Sequence, residues 1–251
     1  MRFSIIGAGN LGVNLIYYLN NSDKYNLKYV YKKSKYDLFE DKLCDNIEGL
    51  IDESDIIFIS TQESGIKDVV KEIVKTKKRI NNKYVFHTSN SLGSDELMEL
   101  KNNGFFIGAF SPVQTFSTFY KVNPFNGVFF LYEGDKEGEN LSKSIANELN
   151  AEVKFVGKEE KLFYHIAAIG SSNFVISVLK FARRVYGKED YERIFFPLLK
   201  KTIDNILEKG IDESLTGPAK RGEKELIQRH KELLKDIDRE IYDLLTKNLT
   251  I

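Results

Sequence analysis

Near the start of the chain, Gly7-Ala8-Gly9-Asn10-Leu11-Gly12 forms a G-x-G-x-x-G pattern. A β-rich run, Arg2–Ile6, precedes it, and Leu11, Leu15, Ile16 and Leu19 follow at the spacing of one helix face. In a strand–turn–helix setting each glycine has a task. Gly7 permits a tight turn, Gly9 lets backbone approach a pyrophosphate with no Cβ in the way, and Gly12 allows close helix–strand packing. The helix N-terminus then offers free N–H groups and a positive dipole end to an anion. This reads as a dinucleotide loop, the plainer alternative being a glycine turn with no ligand.

The end of the next strand run selects the dinucleotide. An NAD site places Asp or Glu about 20 residues after the motif to bond the ribose 2′-hydroxyl. Here the segment is Tyr31-Lys32-Lys33-Ser34, with no acid. Two lysines and a hydroxyl suit a 2′-phosphate, so NADP is favoured over NAD. The alternative is a lysine-rich surface turn. Ser60, Thr61 and Gln62 end another apolar run, and His87-Thr88-Ser89-Asn90 ends the one after it. In an open α/β sheet ligands sit beyond the carboxyl ends of strands. Ser60, Thr61, Gln62 and Ser89 are therefore cofactor neighbours, and His87 is either near the nicotinamide or a strand-end histidine bonded to backbone.

Further along, His165 and Ser172 are seven residues apart on a long helix pattern, with Asn173 a little further round. Polar groups on an apolar helix find partners or line a wet cleft. A histidine in such a cleft suits proton transfer near neutral pH. The alternative is an interior histidine with small hydroxyls easing helix packing. Ser214-Leu215-Thr216-Gly217-Pro218, followed by Lys220 and Arg221, offers a hydroxyl, a glycine turn and two cations. It reads as an anion-holding loop or a plain helix connector.

These residues need elements to position them. Strand signals at 2–6, 27–31, 55–61, 83–87, 105–110, 127–131 and 152–156 alternate with helical signals at 11–19, 66–74 and 94–101. Such alternation predicts an α/β fold with a doubly wound sheet over residues 1–157. From 158 to 251 the patterns are helical: 161–186, 191–209, 223–234 and 236–247. An all-helical domain is expected there.

Taken in order, several motifs resemble a known family. They are Gly7–Gly12; His87-Thr88-Ser89; Ser111-Pro112-Val113-Gln114-Thr115-Phe116; Tyr164-His165-Ile166-Ala167-Ala168 with Ser172-Asn173; and Leu215-Thr216-Gly217-Pro218 with Arg221-Gly222. Together they resemble a bacterial family of Rossmann-like NADP-binding proteins with a C-terminal helical domain of unknown function. That family is similar in layout to pyrroline-5-carboxylate reductase, ketopantoate reductase, prephenate dehydrogenase and the 6-phosphogluconate dehydrogenase group. The resemblance implies an NADP-dependent oxidoreductase acting on a small carbonyl, imine or hydroxy acid at a cleft between the two domains. It also implies a homodimer through the helical domain. It assigns acid–base work to His165, with His87 and Asn173 beside it. Ser111, Gln114, Ser172, Thr216 and Arg221 would contact substrate. The chain departs from the family at Ser111, where His is usual, and at Asn90, where Gly is usual. Those departures keep open a non-catalytic NADP(H)-binding sensor or scaffold.

Composition sets the outer limits. Lys+Arg and Asp+Glu are both 37, so the formal net charge is zero, which argues against a nucleic-acid or anionic-membrane partner. Cys44 is the single cysteine, so neither an internal disulfide nor a cysteine zinc site is expected. No pair among His87, His165 and His230 has helical metal-ligand spacing, and no metal is expected. The start lacks the pattern of a signal peptide, giving a cytoplasmic expectation. Residues 162–179 carry no formal charge and approach membrane-span length. The polar groups His165, Ser171, Ser172, Asn173 and Ser177 would be costly in hydrocarbon. A buried helix, in a helical core or a dimer interface, is expected instead.

Overall fold

The computed structural model describes residues 1–34 and 38–249; the side chains of residues 32–34 lie outside the description. It divides into two compact units, Met1–Gly170 and Ser171–Ile251.

The first unit is built on eight strands: β1 (Arg2–Ala8), β2 (Asn26–Ser34), β3 (Leu43–Cys44), β4 (Ile56–Ile59), β5 (Lys83–His87), β6 (Phe105–Pro112), β7 (Phe129–Gly134) and β8 (Glu152–Phe155). Their order across the sheet is β3-β2-β1-β4-β5-β6-β7-β8. The order reverses on either side of β1, the switch point at which open α/β sheets bind ligands. All pairings are parallel except β6 with β7. The connection between those two strands contains no crossover helix, so the chain returns antiparallel.

Among the described residues six α-helices accompany the sheet: α1 (Asn10–Asn20), α2 (Ile47–Glu53), α3 (Glu63–Lys75), α4 (Met98–Asn102), α5 (Glu137–Glu148) and α6 (Lys158–Ser171). Strands buried on both faces read as continuous apolar runs, and Ile56–Ile59 is fully buried. One core cluster joins Phe3, Ile5, Leu15, Ile16, Leu19, Phe58, Phe86 and Phe110. On the opposite face Ile6, Ile57, Ile59, Ile66, Val70, Ile73, Val85 and Ile107 form the second. The α/β reading therefore stands, with a doubly wound Rossmann-type sheet.

The second unit is helical: α7 (Asn173–Tyr186), α8 (Tyr191–Lys209), α9 (Ile211–Ser214), α10 (Gly217–Arg221), α11 (Lys224–Leu233) and α12 (Asp236–Asn248). Two expectations need correction here. The single helix over 161–186 is two helices, because Ser172 leaves helical geometry at φ −129° and ψ −74°. The shared face of His165 and Ser172 is lost with it. The 214–218 segment is not a plain loop: Ser214 ends α9, and Thr216 caps the start of α10. Among the described residues of this unit, Tyr191 is the one buried side chain, stacked 5.1 Å from Phe195.

Candidate dinucleotide site

A cleft of about 620 Å³ opens at the carboxyl edge of the first unit's sheet. Gly7, Ala8, Gly9, Asn10 and Leu11 line one side; Ser60, Thr61, Gln62, Thr88 and Ser89 line the rest. The sheet register explains the convergence. Ile6 pairs with Ile59, and Ile59 with His87, so the segments leaving β1, β4 and β5 emerge side by side.

The three glycines meet different surroundings. Gly7 has φ +92°, and a β-carbon there would lie 2.9 Å from the Ser60 carbonyl oxygen. Gly12 lines no part of the cleft but packs against Gly7. Gly9 caps α1 without a side chain, and a β-carbon on it would meet nothing within 4 Å. No protein atom requires a glycine at position 9, so the space beside it is left for something else. The first turn of α1 carries no acidic residue to occupy its N–H groups. These features fit a pyrophosphate at a helix N-terminus.

Helix α1 also anchors the long connection after β6. Asn10 Nδ2 donates to the Phe116 carbonyl at 3.0 Å, and Asn14 Nδ2 to that of Thr118 at 2.9 Å. Gln114 on this connection is exposed, its Oε1 accepting from the Thr115 N–H at 2.8 Å. Ser111 is fully buried in β6, and its Oγ has no hydrogen-bond partner. Asn90, in the segment after β5, reaches the next residue of β6: its Nδ2 donates to the Pro112 carbonyl at 3.2 Å, while its buried Oδ1 is unpartnered.

His87 requires a correction. It is fully buried, and both ring nitrogens are engaged. Nε2 lies 2.9 Å from the Gly93 carbonyl, which can only accept, so Nε2 carries the proton. Nδ1 then accepts from the Ser89 N–H at 3.2 Å. Burial, reinforced by the Lys161 charge, pushes its pKa down to about 4. His87 is a neutral structural histidine with no proton to offer a ligand.

Two ionisable residues that sequence reasoning missed border the site. Glu63 opens α3, and its Oε1 accepts from the hydroxyls of Ser89 and Ser91. Burial opposes its ionisation, yet those donors and the nearby His165 and His87 hold its pKa below the usual carboxylate value. Lys161, in α6, is fully buried. Its Nζ donates to the carbonyls of Ser89 at 2.9 Å and Leu92 at 2.6 Å. Burial lowers its pKa to about 8, against the opposing pull of Glu133 and Glu63. The available signal was helical spacing. Lys161, Tyr164, His165, Ala168 and Ile169 are the residues of α6 that are not exposed, at i, i+3, i+4, i+7 and i+8.

The remaining candidates are distributed as follows. His165 belongs to the first unit, half-buried and close enough to Glu63 to act on its charge. Ser172, Asn173, Thr216 and Arg221 belong to the second unit. There Ser172 Oγ donates to Asn173 Oδ1 at 3.1 Å, and Arg221 Nε to Glu223 at 2.6 Å. Lys32, Lys33 and Ser34 end β2, whose Ser34 pairs with Ala8 of the glycine loop. Their side chains lie outside the described ones.

Fold and cleft together define a Rossmann-type α/β protein continued by helices. Residues 128–249 match a family described as a domain of unknown function, DUF2520. A search of curated proteins found no match. Among solved structures, a Bacteroides fragilis protein provisionally assigned as an NADP oxidoreductase is 22% identical, with TM-score 0.76 over 99% of this chain and 97% of that one. Protein TM1727 of Thermotoga maritima is 23% identical, with TM-score 0.74 over 98% and 96%. Plasmodium falciparum pyrroline carboxylate reductase, solved with NADP bound, is 14% identical, with TM-score 0.63 over 100% and 98%.

Proposed function

We propose that this protein is an NADP-dependent oxidoreductase that moves a hydride between the nicotinamide and a small carbonyl, imine or hydroxy acid. The observation that carries the reading is the glycine-walled cleft at the sheet's switch point, with open space at Gly9. The Gly7–Leu11 backbone would hold the pyrophosphate, Lys32, Lys33 and Ser34 the 2′-phosphate, and Thr88 and Ser89 the nicotinamide end. When bound, the cofactor supplies the hydride. His165 would exchange a proton with the reacting oxygen or nitrogen, while the exposed Gln114, on the connection after β6, would meet substrate; Ser111, fully buried, is withdrawn as a substrate contact. Asn173, Ser172, Thr216 and Arg221 are the substrate candidates of the helical unit. The NADP held by the similar Plasmodium reductase supports the choice of cofactor.

A second reading, a non-catalytic NADP(H) sensor or scaffold, draws on the engaged ring of His87. Titration of the purified protein with NADPH and NADH, followed by nicotinamide fluorescence, tests both. NADPH binding followed by its oxidation on addition of ketoacids or imines is the reductase result. Binding without turnover across that screen favours the sensor. No binding of either nucleotide removes both.

We further propose that the working form is a homodimer built on the helical segments. Lys158–Tyr186 is long and apolar enough to cross a membrane by length and composition, and none of its apolar window is buried. Phe163, Phe174, Ile176, Leu198, Leu207 and Ile211 are all more than half exposed. Among the described residues of the helical unit Tyr191 is the one buried side chain, too little for a core, and apolar stripes of this extent mark interfaces. A second copy would complete the core. Sedimentation equilibrium checks this: a dimer is expected, and a detergent-free monomer refutes it.

A further inference from the structure

After Thr88, whose N–H still donates to the Ile59 carbonyl at 3.1 Å, the segment Ser89–Gly93 runs past the cleft outside the sheet ladder. Its carbonyls therefore need partners from outside the ladder. Two of them, on Ser89 and Leu92, are met by the Lys161 ammonium. Ser89 is also a lining residue of the cleft, and its hydroxyl accepts from the N–H groups of Ser91 and Leu92, each at 3.1 Å. Glu63 holds the same hydroxyl from the α3 side. The wall is thus tied between two helices, α3 by a carboxylate and α6 by an ammonium.

Burying an ammonium is costly, and an apolar side chain would be the inexpensive choice at this position. The ammonium instead spends its charge-assisted bonds on backbone carbonyls of one cleft wall. We propose that Lys161 is a positioning residue for the dinucleotide cleft, fixing the Thr88–Ser89 wall through the carbonyls of Ser89 and Leu92. The inference rests on the dinucleotide reading of that cleft. His165 lies one turn further along the same stripe of α6, so the wall and the acid–base candidate share an anchor.

The titratable groups acting on Lys161 are Glu63 from α3, Glu133 from β7 and His87 from β5. The two carboxylates favour the ammonium, His87 is neutral at pH 7, and burial brings the lysine's own titration to about 8. Loss of the proton weakens both carbonyl bonds, so the wall loosens as pH rises through that value.

The test is the NADPH dissociation constant of wild type, Lys161→Met and Lys161→Arg from pH 7 to pH 9.5, with melting temperatures alongside. Wild type is expected to lose affinity across this range. Lys161→Met is expected to bind about tenfold more weakly at pH 7, with no further loss at high pH. A merely structural lysine would lower the melting temperature and leave affinity and its pH slope untouched; that result overturns the proposal. If the methionine variant does not fold, the arginine variant decides, since a guanidinium keeps its charge throughout. A slope absent from it supports the proposal, and a slope it shares with wild type overturns the proposal. Wild type binding no NADPH at any pH defeats the dinucleotide reading itself, a different failure from a lysine variant that binds as wild type does.

Discussion

Gly12 sits so close to Gly7 that a β-carbon on it would stand 2.5 Å from the Gly7 carbonyl oxygen. The same construction on Gly9 meets nothing within 4 Å. Two glycines of one motif therefore answer to different demands, packing and ligand access. Gly12→Ala must push helix α1 off β1 and is expected to cost about 1–3 kcal/mol, read as a lower denaturation midpoint. Gly9→Val should leave the midpoint nearly unchanged and abolish NADPH binding. Equal stability loss in both variants, with binding retained by Gly9→Val, would sink the glycine-loop reading.

The buried His87 makes a pH prediction with a definite sign. Its pKa is about 4 in the fold against 6.5 for the free side chain. The folded state resists a proton that the unfolded chain accepts. The stability is complete above pH 6.5 and drains away as pH falls toward 4, by about 3 kcal/mol for this group. Glu63 and Asp95, held below their ordinary pKa values, lose stability in acid as well. The measurement is therefore a difference: urea midpoints of wild type and His87→Asn at pH 7 and pH 4.5. Wild type should fall further; parallel losses would return His87 to the candidate site.

Much of the fold was legible because its pattern is local. Ile56–Ile59 announces a doubly buried strand, and Leu11, Leu15, Ile16 and Leu19 announce a helix face. What escaped was short or lacked a periodic signal. β3 is two residues long, and α5 places only Leu141, Ile145 and Ala146 as its buried apolar side chains. The break at Ser172 interrupts a continuous apolar run, where periodicity carries no information about backbone geometry. Of the site, the glycine loop and Ser60–Gln62 could be read from the ends of strand runs. Lys161 shared the helical spacing of Tyr164, His165 and Ala168, but a lysine at a helix start reads as solvated until tertiary packing buries it.

Lys33 tests cofactor selectivity from the sequence outward. β2 ends beside the glycine loop, with Ser34 in register with Ala8. A cation there would favour a 2′-phosphate, and a carboxylate would repel it while accepting from a 2′-hydroxyl. Lys33→Asp is expected to weaken NADPH binding about tenfold or more and to narrow its preference over NADH. The check is a paired titration with both nucleotides. Unchanged selectivity would refute the assignment of Lys32, Lys33 and Ser34 to the 2′-phosphate.

His165 carries the sharpest claim about chemistry. The ring of His87 is engaged on both nitrogens, and Ser111 has no charge to lend. Glu63 and Lys161 are tied up in hydrogen bonds to the Ser89–Leu92 wall, and His165, half-buried on α6 and near enough to Glu63 to act on its charge, is the proposed proton carrier. His165→Ala should therefore keep NADPH affinity within about twofold, because phosphate contacts hold most of the cofactor. Turnover of any substrate found in the ketoacid and imine screen should fall by about a hundredfold or more, the range for a positioned acid or base. The two readouts are nicotinamide fluorescence for binding and absorbance at the reduced-cofactor band for turnover. Intact turnover would strip His165 of the role and turn attention to Glu63 and Lys161, the other ionisable groups that border the cleft. If the proton came from solvent instead of either of them, the rate would lose the bell-shaped pH dependence that a titrating side chain imposes.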